Sequence, residues 1–246
     1  MPNYKPSTQS VNYIRSGWYR VWSVDNMEVE PIIKRMLPQP EEVLSKATVL
    51  SSYGSSGNAY HVKIPGHDYF IKRYDCSGFG YSLKNAFRRS RAKRVWSLSH
   101  HLLNLGIPIA RPLILIEERK YRLLGRAYLV KEFFSDYECL RNLWGTVCRE
   151  EQDLLLRHTA TALANLHKRG YIHGDTNWKN IMFDRRRTIP EIKFVDLDGS
   201  RKPIYLSYAR AERDLWHFVR DLQRDYNQGA DRVDLFLSTW REAMKK

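Results

Sequence analysis

The stretch that decides the fold covers residues 171–183 and reads YIHGDTNWKNIMF. In this stretch Asp175 lies five residues before Asn180, and an apolar run follows the asparagine. Sixteen residues after Asn180, a second apolar run ends in Asp196. Glycine and aspartate are common in turns, so either half alone would support a function only weakly. The two halves together, with a helical pattern before them, predict one composite site.

The residue types of this site match the needs of phosphoryl transfer from ATP. A carboxylate must orient the acceptor hydroxyl, while an amide oxygen and a second carboxylate must hold Mg²⁺ on the phosphates. The sequence therefore predicts Asp175 as the catalytic base and Asn180 and Asp196 as metal ligands in a protein-kinase-like fold. Lys179 is a second catalytic candidate, because its ammonium group would neutralise the transferring phosphoryl group; a solvent-facing lysine is the alternative. We interpret His173 as a brace for the loop.

The nucleotide-binding residues are predicted upstream. Residues 49–62 read as two strands joined by a glycine-bearing turn, and residues 69–74 read as a third strand. In a protein-kinase-like fold, a loop of small residues covers the ATP phosphates with backbone N–H groups, and a lysine on the third strand reaches them. Lys72 is the predicted lysine, since Arg73 points to the opposite strand face. The predicted phosphate loop consists of Gly54, Ser55, Ser56 and Gly57, although a Gly-x-x-Gly turn is more often an ordinary hairpin.

Further elements complete the expected order. Strands are predicted at residues 113–117 and 126–134, and helices at residues 137–148, 151–169, 210–226 and around 233–240. The second of these strands leads into an inter-lobe connection, where the backbone of Glu132 and Phe133 is expected to hydrogen-bond the adenine ring. Asp214 is interpreted either as an acceptor of backbone N–H groups from the catalytic loop or as an ordinary carboxylate at a helix N-terminus.

These elements predict an α+β chain with a protein-kinase-like two-lobe fold. The N-lobe is expected to be small, antiparallel and β-rich, and the C-lobe to be short and mostly helical. The predicted boundaries place an N-terminal extension, packed on the N-lobe, at residues 1–40, the N-lobe at 41–133 and the C-lobe at 134–246. The extension contains one strand-like aromatic stretch, and its sequence assigns it no chemistry.

A basic cluster follows the third strand. Residues 76–116 contain seven Lys or Arg residues and neither Asp nor Glu. Within a helical pattern in this segment, Arg88, Arg89, Arg91 and Arg94 form a candidate substrate site for anionic head groups or sugar phosphates. A solvated helix face is the alternative for any one of these arginines.

Composition limits the partners and the compartment. The chain has 246 residues, with 41 Lys and Arg against 27 Asp and Glu, for a net charge of +14. This balance favours an anionic partner, although a basic surface that only aids solubility is the alternative. The three cysteines are not in zinc-site spacing and predict no disulfide framework. With no signal-peptide pattern and no long apolar run, we expect a cytoplasmic protein. A nucleic-acid partner is not expected, because few stacking aromatics accompany the basic cluster.

Several motifs together resemble the lipopolysaccharide kinase (Kdo/WaaP) family. They are listed in chain order: Ser90-Arg91-Ala92, Gly106-Ile107-Pro108-Ile109-Ala110-Arg111-Pro112, the Asp175 and Asn180 loop, Phe194-Val195-Asp196-Leu197-Asp198 and Arg213-Asp214-Leu215. The resemblance implies ATP and Mg²⁺ as cofactors and transfer of the γ-phosphate to a sugar, heptose or Kdo, of the lipopolysaccharide inner core. It also implies lipopolysaccharide or another anionic glycolipid as partner, and peripheral contact with the cytoplasmic face of the inner membrane.

One departure from the family pattern keeps alternatives open. The resemblance implies a glutamate, paired with the ATP lysine, in the helix after the third strand, but this slot aligns with Val95. Asp75 or Asp198 is a candidate replacement partner for Lys72. If neither supplies the charge, the ATP site is weakened, and the chain is a pseudokinase-like protein that binds an anionic glycolipid. A kinase acting on a small molecule or a protein is a further alternative, and the sequence predicts no oligomeric state.

Overall fold

The computed structural model describes residues 10–37, 39–52, 57–76, 89–121, 123–184, 186, 190–224 and 230–245. The chain divides into two compact units. The first comprises Met1–Asn104 and Ala110–Ser135, and the second comprises Leu105–Ile109 and Asp136–Lys246. The predicted domain boundaries at residues 40 and 133 stay predictions.

An antiparallel sheet forms the centre of the first unit. Among the described residues it has seven strands, in the order β1-β2-β6-β7-β5-β4-β3. The strands are β1 (Val11–Ser16), β2 (Tyr19–Val24), β3 (Thr48–Ser52), β4 (Gly57–Ile64), β5 (His67–Tyr74), β6 (Pro112–Lys120) and β7 (Leu123–Glu132). The central strands are rich in branched apolar residues, and Ile71, Ile114 and Leu129 are fully buried. This burial fixes the register, because a slip by one residue would turn these side chains to the other face.

Three helices accompany the sheet in the described part of the first unit: α1 (Glu30–Met36), α2 (Pro40–Ser45) and α3 (Arg91–Asn104). Ser90 caps α3, since its Oγ accepts the N–H of Lys93 at 2.9 Å. The Ser90 hydroxyl also hydrogen-bonds buried Glu117 of β6. Val95 and Leu102 lie on the buried side of α3, so the sheet-facing stripe of the helix is apolar.

The second unit is mostly helical. Its described residues include a three-stranded antiparallel sheet in the order β10-β9-β8, formed by β8 (Tyr137–Cys139), β9 (Ile181–Asp184) and β10 (Ile192–Phe194). The helices are α4 (Leu140–Leu143), α5 (Arg149–Lys168), α6 (Tyr208–Asp214), α7 (Trp216–Arg224) and α8 (Ala230–Lys245). Helix α5 packs along α8. The core is aromatic: Phe218 and Phe236 stack with their ring centroids 4.2 Å apart, and both are fully buried.

The α+β class is confirmed, as are the strands on either side of the predicted phosphate loop and the helix before Asp175. Two element predictions are wrong. The predicted helical segment at 137–148 begins as strand β8, because residues 137–139 pair with β9. The single helix predicted at 210–226 is two helices, α6 and α7, with Leu215 between them. Within the predicted N-terminal extension, β1 and β2 are strands of the main sheet, since β2 pairs with β6.

Candidate active site

Helix α5 leads directly into the loop that carries Asp175. The N–H of Tyr171 donates to the carbonyl of Leu166 at 3.2 Å and so closes the helix end. Ile172 then forms a two-hydrogen-bond bridge with Arg201, which follows the Asp196 segment. The two acidic segments are therefore joined by backbone pairing just before Asp175.

A glycine pair brings the two segments into backbone contact. Gly174 has a φ of +81°, and a Cβ placed on it would lie 2.4 Å from the carbonyl oxygen of Gly199. A side chain at position 174 is excluded both by this conformation and by the contact. Ser200 Oγ donates to the carbonyl of His173 at 2.7 Å and adds a further link. These contacts explain the glycines that precede Asp175 and follow Asp198.

Two asparagines orient the carboxylate of Asp175. Asn177 Nδ2 donates to Asp175 Oδ1 at 2.8 Å, and Asn180 Nδ2 donates to Asp175 Oδ2 at 3.1 Å. Asn180 Nδ2 also donates to the backbone carbonyl of Asp175 at 3.1 Å. Both carboxylate oxygens are thus held by amide donors, so the side chain has a fixed direction.

The predicted metal ligands lie at one end of the β9–β10 hairpin. Asn180 precedes β9, Asp196 follows β10, and the N–H of Val195 donates to the carbonyl of Asn180 at 3.0 Å. Asp196 has a φ of +54°, a left-handed conformation that is uncommon for a residue with a side chain. Its Oδ1 accepts the N–H of Asp198 at 3.3 Å. Such strained backbone positions are concentrated at functional sites.

The donor set fits Mg²⁺. The two hydrogen bonds of the Asn180 side chain use Nδ2, so its Oδ1 is the atom suited to a hard cation. Asp196 would supply the carboxylate. Within the part of the chain that the structure describes, no three His, Cys, Asp or Glu side chains gather as a metal cluster. A site built on one asparagine and one aspartate does not require such a cluster.

Asp214 anchors the first half of the loop. Its carboxylate accepts the backbone N–H groups of His173 at 2.7 Å and Gly174 at 2.8 Å. Of the two interpretations of Asp214, the acceptor of loop N–H groups is confirmed. Burial raises the pKa of Asp214, but its hydrogen bond and charge interaction with His167, together with the two N–H groups, outweigh this effect and hold the pKa below its ordinary value.

His167 links this anchor to the last helix. Trp240 Nε1 donates to His167 Nδ1 at 3.0 Å, and His167 Nε2 lies 3.1 Å from Asp214 Oδ2. An indole N–H can only donate, so Nδ1 is the acceptor and Nε2 carries the proton toward Asp214. A continuous hydrogen-bonded chain therefore runs from α8 through α5 to the loop that carries Asp175.

Asp221 of α7 anchors the second half of the loop, and the sequence analysis missed this residue. Its Oδ2 accepts the N–H of Trp178 at 3.1 Å, and Arg141 Nη2 lies 3.5 Å away. The indole N–H of Trp178 donates to the carbonyl of Phe218 at 3.2 Å. One signal was available: Asp221 is a charged residue on the buried side of an amphipathic helix, between Phe218 and Leu222.

His173 and Lys179 differ in environment. His173 is fully buried and packs edge-on against Phe194, with 5.5 Å between ring centroids. Burial lowers its pKa, although the carboxylates of Asp214, Asp175 and Asp196 oppose the shift. A buried neutral imidazole suits the predicted role as a brace. Lys179 is exposed, and its N–H is held at 3.1 Å by Asn177 Oδ1. Its catalytic role stays a prediction.

The predicted nucleotide residues lie in the first unit. Lys72 is buried on β5, and its Nζ lies 5.8 Å from the ring centroid of Tyr74. Arg73 leaves the opposite face and pairs with Glu41 and Asp75. Asp75, one candidate partner for Lys72, is thus engaged by Arg73. Val95, the residue predicted to stand in place of the family glutamate, is buried; that alignment stays a prediction.

The rest of the predicted nucleotide site is only partly described. Gly54, Ser55 and Ser56 lie outside the described residues. Gly57 has a φ of +131° and packs against the carbonyl of Arg73 so closely that a Cβ would lie 1.9 Å from that oxygen, which gives Gly57 a structural reason to be glycine. The other two predicted residues lie at the end of β7 or just beyond it. Glu132 donates its N–H to the carbonyl of Arg111 at 3.1 Å, and Phe133 stacks on His61 at 3.8 Å.

The described members of the predicted substrate cluster lie at or just before the start of α3. Arg88 is outside the described residues, and Arg89 is exposed just before Ser90. Arg91 and Arg94 are exposed on α3, and the guanidinium of Arg91 lies 5.9 Å from the ring centroid of Tyr74. A role in substrate binding stays a prediction for this cluster. No helix in the described ranges is long and apolar enough to cross a lipid bilayer.

Comparison with known proteins gives one family. The sequence model described as "Lipopolysaccharide kinase (Kdo/WaaP) family" matches residues 53–237. A solved structure titled "WaaP in complex with acyl carrier protein" is similar to this chain, with a TM-score of 0.53 and 15% sequence identity. The match covers 88% of this chain and 96% of that one. It confirms the protein-kinase-like fold. A search of curated protein sequences found no significant match.

Proposed function

The chain belongs to the lipopolysaccharide kinase (Kdo/WaaP) family, and from this membership we propose that it transfers the γ-phosphate of ATP to a sugar hydroxyl, of heptose or Kdo, in the lipopolysaccharide inner core. The observation that carries the proposal is the hydrogen bonding around Asp175. Asn180 Nδ2 fixes the Asp175 carboxylate at 3.1 Å. The Oδ1 of Asn180 remains suited to a cation. Asp196 directly follows Val195, whose N–H donates to the carbonyl of Asn180.

Asp175 acts on the acceptor. Its carboxylate orients the sugar hydroxyl, whose oxygen forms a bond to the γ-phosphorus. The bond from that phosphorus to the β,γ-bridging oxygen breaks, ADP leaves with the electron pair, and the hydroxyl proton passes to Asp175. Positioned bases of this kind contribute roughly 10²–10⁴-fold. Lys179 would offset the negative charge of the group in transfer.

The remaining predicted residues bind and position ATP. Asn180 and Asp196 would hold Mg²⁺, which when bound neutralises charge on the phosphates. Lys72 and the loop from Gly54 to Gly57 would hold the phosphates, and the backbone of Glu132 and Phe133 would meet the adenine.

The acceptor is proposed to be an anionic glycolipid, reached at the cytoplasmic face of the inner membrane. The net charge of +14 supports an anionic partner. Arg89, Arg91 and Arg94 are exposed in the segment that lacks acidic residues and are proposed, with Arg88, to bind its phosphates. Arginine suits this role because its planar donors match phosphate oxygens.

A second candidate function is that of a pseudokinase-like protein that binds an anionic glycolipid without phosphorylating it. One observation favours it: Val95, which the resemblance aligns with the family glutamate, is an apolar residue buried on α3. Binding of Mg·ATP that depends on Asn180 and Asp196 would favour the kinase.

The test compares lipopolysaccharide cores by mass spectrometry from cells with and without the gene, and measures transfer by purified protein. We expect loss of one phosphate from the core in the deletion strain. Asp175→Asn should lower transfer roughly 10²–10⁴-fold while leaving the fold and ATP binding intact. The matched control is Asp231→Asn, which removes an exposed carboxylate paired with Arg149. Unchanged cores, or an Asp175→Asn variant with near-normal transfer, would contradict the proposal.

A further inference from the structure

Two aromatic side chains are exposed side by side at one corner of the main sheet. Trp18 lies in the turn between β1 and β2, and Tyr121 lies in the turn between β6 and β7. The N–H of Arg119 donates to the carbonyl of Trp18 at 2.7 Å, so the two turns are bound together. The rings meet edge to face with centroids 5.3 Å apart, yet Trp18 is 48% exposed and Tyr121 is 78% exposed.

One cation lies close to these rings, and two more lie on the same hairpin. Lys120 Nζ lies 5.6 Å from the ring centroid of Trp18. Arg15 and Arg20 stand directly opposite each other on β1 and β2, and like charges in this arrangement destabilise a strand pair. Neither arginine has an ion pair with any residue that the structure describes; Glu117, which stands opposite Arg20 on β6, pairs with Arg119 instead. We call Arg15, Trp18, Arg20, Lys120 and Tyr121 the hairpin corner.

The two ends of the hairpin differ in their charged groups. The corner carries Arg15, Arg20 and Lys120, with Glu117 and Glu118 of β6 opposite Arg20 and Tyr19. The other end has Asp25 beside Ser10, and Glu28, just after β2, pairs with Arg111. The outer strand β1 also exposes Tyr13 and Ile14. Val11, at the other end of β1, is exposed as well. Trp18, Tyr121 and Lys120 nevertheless lie together at the turns, so the turns are the end of the hairpin suited to approach an anionic surface.

The chemistry of the corner fits a lipid interface. Tryptophan and tyrosine, each with an apolar body and a polar tip, concentrate at the boundary between head groups and acyl chains. Basic side chains near that boundary are attracted by anionic lipid. Here Trp18 and Tyr121 lie on adjacent turns, Lys120 is the last residue of β6 beside them, and no further strand of the described sheet continues beyond the turns.

We propose that the hairpin corner docks, turns first, on a bilayer that contains anionic lipid. The inference deepens the proposed function, since it assigns the proposed membrane contact to a defined surface of the protein. It rests on the proposed function only for the identity of the membrane, which would be the inner membrane. A protein segment or second copy that pairs with β1, the outermost strand of the described sheet, is the competing occupant, and the experiment distinguishes it.

The experiment measures binding of the full chain to vesicles of phosphatidylcholine with and without phosphatidylglycerol, in the absence of ATP and acceptor. We expect binding only to the anionic vesicles. The double variant Trp18→Ser, Tyr121→Ser should bind them at least about tenfold more weakly, because it removes the apolar groups that enter the interface. The matched control is Tyr205→Ser, Trp216→Ser, which removes two aromatics of the second unit that are 76% and 59% exposed. It should bind like the wild type.

Charge is tested separately. Each cation near an anionic surface strengthens binding about fivefold at low ionic strength. The double variant Arg15→Gln, Lys120→Gln should therefore bind the anionic vesicles about 25-fold more weakly. Its control, Arg157→Gln, Arg224→Gln, removes the same charge from exposed positions of the second unit. An equal loss in both variants would mean that net charge, and not this corner, drives binding, and would overturn the proposal.

Other outcomes are equally decisive. The proposal is overturned if the wild-type protein does not bind anionic vesicles. It is also overturned if the Trp18→Ser, Tyr121→Ser variant binds them as strongly as the wild type. If that double variant fails to fold, Tyr121→Ser alone serves, because this side chain is the more exposed of the two. A dimer that the corner variant disrupts, without vesicle binding, would assign the surface to a second copy. The vesicle experiment does not measure phosphate transfer. Its result can therefore be interpreted even if the proposed kinase activity is not found.

Discussion

Replacing Asp214 with asparagine tests the anchoring of the catalytic loop most directly. The Asp214 carboxylate accepts from the backbone N–H of His173 at 2.7 Å, from that of Gly174 at 2.8 Å and from His167 Nε2 at 3.1 Å. Asparagine keeps the shape but exchanges one accepting oxygen for a donating NH₂ group. At least one buried N–H must then face another donor, whichever way the amide turns.

The expected cost follows from these contacts. A hydrogen bond to a charged group contributes about 1.5–3 kcal/mol, and a buried donor left without an acceptor costs about 1–3 kcal/mol. We therefore expect Asp214→Asn to lower the free energy of unfolding by about 3 kcal/mol, which moves a urea midpoint by about 1 M. Because the Asp175 segment loses its anchor, transfer should fall as well, through kcat more than through KM for ATP.

The pH dependence has a definite sign. The pKa of Asp214 is lower in the folded chain than in the unfolded chain, whose value is about 3.9. Its stabilising contribution is therefore complete above that unfolded pKa and is lost as the pH falls through the folded pKa. The stability difference between wild type and variant should be largest near neutral pH and should shrink in acid below about pH 4.

Urea unfolding at pH 7 and at a series of acidic pH values provides the assay, with near-ultraviolet circular dichroism to confirm a native fold. Asp231→Asn is the matched control, since this carboxylate is exposed and pairs only with Arg149 among the described residues. An Asp214→Asn protein within about 0.5 kcal/mol of wild type at pH 7, the spread typical of surface changes, would refute the reasoning.

Three further predictions concern neighbouring residues. Gly174→Ala should lower the free energy of unfolding by about 2 kcal/mol or more in a urea titration, because the new Cβ meets the Gly199 carbonyl and the backbone is left-handed; an unchanged midpoint would contradict the contact. Asp196→Asn should leave stability within about 0.5 kcal/mol, since asparagine tolerates a positive φ, while transfer falls at least about 100-fold through the loss of a metal-binding charge; retained transfer would remove Asp196 from the site. Trp240→Phe removes the donor to His167 Nδ1 and should cost about 1 kcal/mol, and an equally stable variant would show that this bond is not stabilising.

Local patterns predicted most of the fold. Alternation and turn residues located β4, β5, β6 and β7, and the spacing of apolar residues located α5 and α8. The errors occurred where tertiary pairing decides the structure. Residues 137–139 are a strand because β9 lies beside them. The aromatic stretch near Trp22 was recognised as strand-like, but its place in the main sheet depends on pairing with β6, about ninety residues away.

The site was predictable where its residues lie close in sequence. Asp175 and Asn180 are five positions apart in the sequence, and this spacing allows the hydrogen bond between their side chains. Asp221 was missed because its partner, the N–H of Trp178, lies 43 residues away. Sequence patterns carry no information on which backbone group a distant carboxylate will meet. The hydrogen-bonded chain from Trp240 through His167 is unpredictable for the same reason.

The closeness of Gly174 and Gly199 has a consequence for small-molecule inhibitors. The Asp196 segment cannot be displaced alone, because the two Ile172–Arg201 backbone bonds and the Ser200–His173 bond hold it to the Asp175 loop. A compound that binds only after this segment has moved must break these three hydrogen bonds. At about 1 kcal/mol for each bond, its affinity would be roughly 150-fold weaker. Ligands shaped to the segment as it stands avoid that loss and are the better starting point for chemistry.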